Sequence, residues 1–285
     1  METIIEKARK EYHKELVSLG ILTVDANGMP SNADKASRVS VKFATDIAEM
    51  LSAGTQIKAG GQTSGARFEE ANVTFLRRTF LQMGALRPGD WRIERLGNRN
   101  ALKTSSFQQY EHLHYLDELT RKDRKLASML GNDYMIAPDI VVYRIPETDE
   151  AINAPVCLVN GSVAKEAAIR KRFSGLPILH ASVSAKWTMR SDRAQNSRTE
   201  ALGLIRNRKG HLPHISVITG EPMPSRLASL ALGTGDIDCL YHFALYELMD
   251  SVGSSGFEES KELLEMLVEG KRLKDISDLP LDLAV

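Results

Sequence analysis

Alternation of apolar and polar positions is clearest over residues 178–186, ILHASVSAK, where Leu179, Ala181, Val183 and Ala185 are apolar and the positions between them mostly polar. Period-two alternation predicts a strand with one face in a core and the other turned outward. Ser184 and Lys186 then project together from the outward face at the strand end. The next residues, RSDR (190–193), set three charges beside Ser and Asp, both good N-cap types. A helix is expected to follow to about residue 207, with Ala194, Ala201, Leu202 and Ile205 as its apolar stripe. It carries a carboxylate, Glu200, into its middle.

The same reading runs along the rest of the chain. Residues 2–19 form an amphipathic helix with Ile5, Ala8, Tyr12 and Leu16 on one side, followed by a polar, turn-rich arm at 25–38 and a second helix at 41–52. Residues 66–83 predict a strong helix, with Phe68, Val73, Phe75, Leu76 and Phe80 giving broad apolar coverage. A short strand is expected at 91–96 and one long charged helix at 108–130. Residues 140–143, IVVY, form a β-branched apolar run typical of a central strand, with Pro138-Asp139 at its mouth. The polar stretch 147–173 is expected to be an insertion between core strands. Another buried strand falls at 214–219, then a loop at 221–226, an apolar helix at 237–251 and a C-terminal tail that docks. No linker or repeat divides the chain, so the expectation is one α/β domain over 1–285, a central mixed sheet flanked by helices.

Composition narrows the class. The 285 residues hold 42% hydrophobic and 26% charged side chains, ordinary for a soluble globular protein. No apolar run approaches a membrane span, and the charged amphipathic N-terminus is unlike a signal peptide, which points to the cytoplasm. The two cysteines, Cys157 and Cys239, sit in apolar settings and read as buried reduced thiols. Lys plus Arg and Asp plus Glu both number 37, so any anionic partner must be met by a local basic surface such as 165–172 or 206–209. The glycine-rich AGGQTSG (59–65) lacks the Gly-Lys-Ser/Thr of a phosphate-binding loop. It reads as a flexible helix entry, or as backbone that approaches a ligand closely, with Gln62 as donor and acceptor.

Asp139 at one strand mouth, Lys186 at the end of another and Glu200 on the next helix make a set suited to phosphodiester hydrolysis. Hard carboxylate oxygens hold Mg²⁺, which retains waters and takes phosphate oxygens as further ligands. A lysine near the phosphate orients water and adds positive charge. The usual spelling is Pro-Asp followed by Glu/Asp-x-Lys; here Ser184 stands two before the lysine, and Glu200 can replace the missing carboxylate if its helix packs over the strand end. A cap or turn role explains Asp139 equally well in isolation. Arg190, Asp192 and Arg193 could read guanine and cytosine edges, although a capped helix flanked by surface arginines has the same residues. Taken as a pair, Ser184 and Lys186 could also be the nucleophile and base of a serine–lysine hydrolase, but no oxyanion motif accompanies them.

KWTMRSDRAQNSRTE (186–200) resembles the signature of the type II restriction endonucleases that cut around CCGG. The resemblance extends to SNAD (31–34), GQTSG (61–65), RPGDW (87–91), PDI (138–140), RNRKG (206–210), PSR (224–226), ALGTG (231–235), YHFALYEL (241–248) and KRLKDISDLPLDLAV (271–285). It implies a restriction-endonuclease-like PD-(D/E)xK core and Mg²⁺-dependent hydrolysis of duplex DNA to 5′-phosphate ends. By that resemblance Asp139, Ser184, Lys186 and Glu200 form the active site, with Glu69 a further acidic residue near it. Asp139 is the direct metal ligand, the Ala185 carbonyl another and Glu200 an indirect one, for two Mg²⁺ per active site. Arg190, Asp192 and Arg193 read the inner CCGG, Asp34 and Arg226 the outer G·C pairs, and Gln62 the minor groove. The implied target is GCCGGC, cut after the first G to leave a 5′ CCGG overhang. A palindrome is read by a two-fold dimer, and the resemblance further implies a homotetramer on two DNA copies and a cognate cytosine methyltransferase protecting the host. A catalytically lost DNA-binding relative and a structure-selective repair nuclease are the alternatives.

Overall fold

The computed structural model describes residues 1–54, 61–96, 101–130, 137–189, 191–233 and 235–285, without the side chains of 61, 62, 101–103 and 191–194. In chain order the helices are α1 (Ile4–Ser18), α2 (Arg38–Met50), α3 (Gly61–Thr79), α4 (His112–Lys122), α5 (Arg124–Leu130), α6 (Asp149–Ile152), α7 (Ser191–Asn207), α8 (Pro224–Ala231), α9 (Leu245–Ser254), α10 (Glu258–Glu269) and α11 (Leu279–Asp282). The strands are β1 (Trp91–Arg95), β2 (Ile140–Arg144), β3 (Ile178–Lys186), β4 (His214–Thr219), β5 (Cys239–His242) and β6 (Leu273–Asp275), in one sheet of order β1-β2-β3-β4-β5-β6. The fold is α/β, and its sheet is mixed: β1 and β2 are antiparallel, whereas β4, β5 and β6 are parallel neighbours.

Two compact units divide the chain. One comprises Met1–Gln82, Val183–Thr199 and Ile215–Val285; the other Met83–Ser182 and Glu200–His214. β3 runs from the second into the first.

In the first unit α1 starts with a capping box, Thr3 and Glu6 satisfying each other's amides. Of its predicted stripe, Ala8, Tyr12 and Leu16 are buried and Ile5, in the first turn, is half-buried. The Tyr12 hydroxyl donates to Asn72 Oδ1 on α3 at 2.7 Å, and its ring lies 5.3 Å from that of Phe75. Arg9, on the same helix, forks onto Glu247 (2.9 and 2.6 Å) and Asp275 (2.9 Å twice). In the second unit Gln109 holds the edge of β3: its amide donates to the Leu179 carbonyl at 2.7 Å and its oxygen accepts the Leu179 amide at 3.0 Å.

Several elements depart from the sequence reading. β3 is buried on both faces from Ala181 to Ala185, Ser182 and Ser184 included. A central strand has layers on either side, so alternation in its sequence does not turn one face to water. The long helix expected at 108–130 breaks at Asp123, whose backbone is extended and whose Oδ1 accepts the Lys125 amide at 2.8 Å. Residues 239–242, expected in a helix, form β5, and the expected loop at 221–226 turns into α8 at Pro224. The buried stripe of α7 is Ser197, Ala201 and Leu204. Cys157 is exposed within the 147–173 segment, and only Cys239 is buried. Arg170, read as part of a basic surface, is wholly buried, its guanidinium bonded to Asp149 and to the carbonyls of Asn160, Val163 and Ala164. Among the described residues no helix is long and apolar enough to cross a membrane.

Candidate active site

The expected catalytic residues lie on the elements the sequence assigns them. Asp139 immediately precedes β2 and is 2% exposed; its carbonyl accepts the Leu96 amide at 3.0 Å. Ser184, Ala185 and Lys186 end β3, the first two buried and Lys186 half-buried. Glu200 lies half-buried in α7 and Glu69 half-buried in α3. By unit, Glu69, Ser184, Ala185 and Lys186 belong to the first, Asp139 and Glu200 to the second. Arg190 lies outside the described residues, as do the side chains of Gln62, Asp192 and Arg193; the last two residues occupy the first turn of α7 and Gln62 that of α3.

Within the first unit the end of β3 is locked to the turn after β4. The Gly220 amide donates to the Lys186 carbonyl at 3.3 Å. The Trp187 indole lies against Gly220, where an added Cβ would come within 2.5 Å of the ring, so only glycine permits the approach. That indole packs between Phe68 and Phe243, with ring centroids 5.1 and 5.0 Å away, and donates to Ser31 Oγ at 3.2 Å. Asn32 in turn donates to the Gly220 carbonyl at 2.8 Å. The polar arm preceding α2 is thereby fastened beside the strand end that carries Lys186.

This fastening brings two of the expected reading residues together. The Asp34 amide donates to the buried Ser40 hydroxyl at 2.8 Å, and its Oδ1 accepts the Ala36 amide at 3.1 Å. Its Oδ2 is ion-paired with the Arg226 guanidinium at the start of α8. Behind Arg226 stands Glu221, with no exposed surface. It accepts the Met189 amide at 2.9 Å through Oε2 and the Met223 amide at 3.2 Å through Oε1, and lies 3.6 Å from Arg226 Nη1. Burial pushes the Glu221 carboxyl above its ordinary range, and the Met189 amide and the Arg226 charge draw it part of the way back. Sequence reading passed over Glu221, since a glutamate in a Pro-rich loop carries no sign that it is buried.

The donor chemistry suits a hard divalent cation. By chemical type the expected ligands, a carboxylate at Asp139 and a main-chain carbonyl at Ala185, are hard oxygen donors of the kind Mg²⁺ takes alongside water and phosphate oxygens. Among the described residues no three His, Cys, Asp or Glu side chains group to hold a metal by themselves.

Comparison with known proteins fixes the class. A relative 47% identical over 286 residues, covering 100% of each chain, is the type II restriction enzyme NgoMIV of Neisseria gonorrhoeae. Such identity across the whole length makes this protein a type II site-specific DNA endonuclease, of a class that works with a divalent metal. The family model described as NgoMIV restriction enzyme matches residues 12–285, and the chain belongs to that family. Among solved structures it is similar to the type IIF restriction endonuclease Bse634I with cognate DNA, at 14% identity and TM-score 0.34 over 96% of this chain and 92% of that one. Bse634I restriction endonuclease appears again at 16% identity and TM-score 0.30, covering 81% and 74%. At scores this low neither adds to the assignment.

Proposed function

We propose that residues 1–285 act as one endonuclease domain that hydrolyses duplex DNA at GCCGGC, after the first G, with Mg²⁺. The observation that carries the sequence preference is the Asp34–Arg226 pair. Arginine donates in bidentate fashion to guanine O6 and N7, and aspartate accepts from cytosine N4. A neighbouring arginine and aspartate therefore match the two halves of one G·C pair in the major groove. Arg190, Asp192 and Arg193 serve the inner CCGG in the same chemical terms, and Gln62 the minor groove.

For the reaction, the Asp139 carboxylate and Ala185 carbonyl are assigned as ligands, Glu200 as an indirect one through water, for two Mg²⁺ per active site. Bound there, Mg²⁺ supplies an acidified water and offsets charge on the phosphate. Lys186 holds the attacking water in line and adds positive charge beside the scissile phosphate. Ser184 supports the strand end as a hydroxyl donor, and Glu69 contributes a further carboxylate. The palindromic target implies a two-fold dimer, carried here to a homotetramer on two DNA copies. The enzyme works in the cytoplasm beside a cytosine methyltransferase that protects host sites.

Cleavage of three duplexes carrying GCCGGC, ACCGGT or no CCGG, each with Mg²⁺ and with Ca²⁺, tests this reading. Cutting confined to GCCGGC with Mg²⁺ is expected. Equal cutting of the first two duplexes would remove the roles of Asp34 and Arg226, and binding without cutting would favour a catalytically lost relative.

A further inference from the structure

A buried carboxylate needs partners, because leaving it charged and unpaired in a low-dielectric interior costs several kcal/mol. The partners of Glu221 are unusual in where they lie. One is the Met189 amide at 2.9 Å, the residue just before Arg190 and the reading segment 190–193. Another is Arg226, at 3.6 Å, whose guanidinium pairs with Asp34. The third is the Met223 amide at 3.2 Å, in the turn that leads into α8 and so to Arg226. All of these residues belong to the first unit. Glu221 itself has no solvent-exposed surface.

We infer that Glu221 is a positioning residue that ties the segment reading the inner CCGG to the pair reading the outer G·C. This rests on the proposed reading roles of Asp34, Arg226 and residues 190–193. Oε2 fixes the main chain at the root of the inner reader and also faces Arg226. A shift of Arg226 onto a mismatched outer pair therefore withdraws charge from the carboxylate that holds Met189. Likewise a displaced 190–193 segment loosens the carboxylate that orients Arg226. Discrimination at the two levels of the site becomes cooperative through one side chain.

Glu221→Gln tests this, since it keeps the volume but can accept only one of the two amides and has no charge for Arg226. Cleavage would be compared on GCCGGC, on ACCGGT, which alters the outer pairs, and on GCTAGC, which alters the centre. In Glu221→Gln preference should fall by about tenfold or more at both levels, the scale of a lost bidentate contact. Arg226→Ala, which leaves Glu221 bonded to both amides but without its cation, should lower the outer preference strongly and the inner one by a smaller factor. A Glu221→Gln enzyme with lower melting temperature but wild-type ratios at both levels would overturn the inference, because that is what a purely structural role predicts. If the wild type itself fails to discriminate, the proposed function falls and the inference with it. A second measurement needs no variant: hydrogen exchange across 187–190 in wild-type enzyme saturated with each duplex in Ca²⁺. Slower exchange at Met189 on GCCGGC than on ACCGGT is expected. Equal protection would show that the outer pair does not reach Met189, and would overturn the coupling.

Discussion

The Arg226 guanidinium and the Asp34 carboxylate, 192 positions apart in the chain, hold each other in an ion pair with each side chain 30% exposed. Both groups reach solvent, yet each is braced from behind. Asp34 is held through Ser40 and the Ala36 amide, Arg226 through Glu221. Pre-oriented groups lose less freedom on binding than mobile ones do.

Asp34→Ala and Arg226→Ala are each expected to reduce preference for GCCGGC over ACCGGT by about 10- to 100-fold, in line with ~1–3 kcal/mol for a good base contact. On the proposed roles the two act on one base pair, so the double variant should lose little more than either single. Ratios of cleavage rates in the four enzymes measure this. Additive losses would mean that the pair does not read as a unit.

Lys186→Ala should leave DNA binding in Ca²⁺ within a few-fold of wild type and lower Mg²⁺-supported cleavage at least about 100-fold, the scale of removing one charge-stabilising donor. Chelation of the metal should abolish cleavage in both. Binding by gel shift and single-turnover cleavage separate the effects, and a wild-type cleavage rate in the variant would move the catalytic assignment off Lys186.

How far the sequence reached depends on where each signal lies. β3 was legible from its alternation, β4 from its apolar run and α7 from its extent, although the face α7 buries is Ser197, Ala201 and Leu204. β5 was not: Cys239–His242 is an apolar run that passes to α9 with only Phe243 and Ala244 between, so strand and helix read as one helix. Asp123 broke the long helix by capping the next one, and neither Gly nor Pro announced it. The motif residues of the site were visible as residue types. Glu221 was not, since its meaning comes from Met189 and Arg226, and those contacts exist only after folding.

Arg9→Ala is expected to destabilise the first unit by about 3–5 kcal/mol, because it leaves Glu247 and the wholly buried Asp275 without their cation. Burial draws the Asp275 carboxyl up, but the Arg9 hydrogen bonds outweigh it and hold the group below its ordinary range. Arg9→Lys should recover only part, since an ammonium cannot fork onto both carboxylates. The urea midpoint of each variant reports the change, and a midpoint unchanged in Arg9→Ala would show that the cluster is replaceable.

Two buried histidines set the acid side of the stability profile. Burial lowers His242 to about 4, and burial with the neighbouring Arg9 charge lowers His13. A histidine depressed in the folded state binds its proton first in the unfolded chain. Stability is therefore expected to be unaffected by these groups above about pH 6.5 and to fall below it, by up to ~1.4 kcal/mol per pH unit for each group. For His242 the fall continues towards pH 4. Unfolding midpoints at pH 7.5, 6.5 and 5.5 should show the decline, and His242→Asn should flatten it. An identical slope in that variant would place the acid sensitivity elsewhere.

The charge of the proposed outer reader, the Asp34–Arg226 pair, bears on when it would act. An aspartate paired to an arginine shows almost no net charge to a phosphate backbone, and the whole chain is formally neutral, with 37 cationic and 37 anionic residues. Such a pair neither draws the protein onto DNA nor repels it, so correct and incorrect outer sequences should be encountered equally fast. On the proposed reading roles the two sequences are then expected to differ in residence time rather than in rate of encounter.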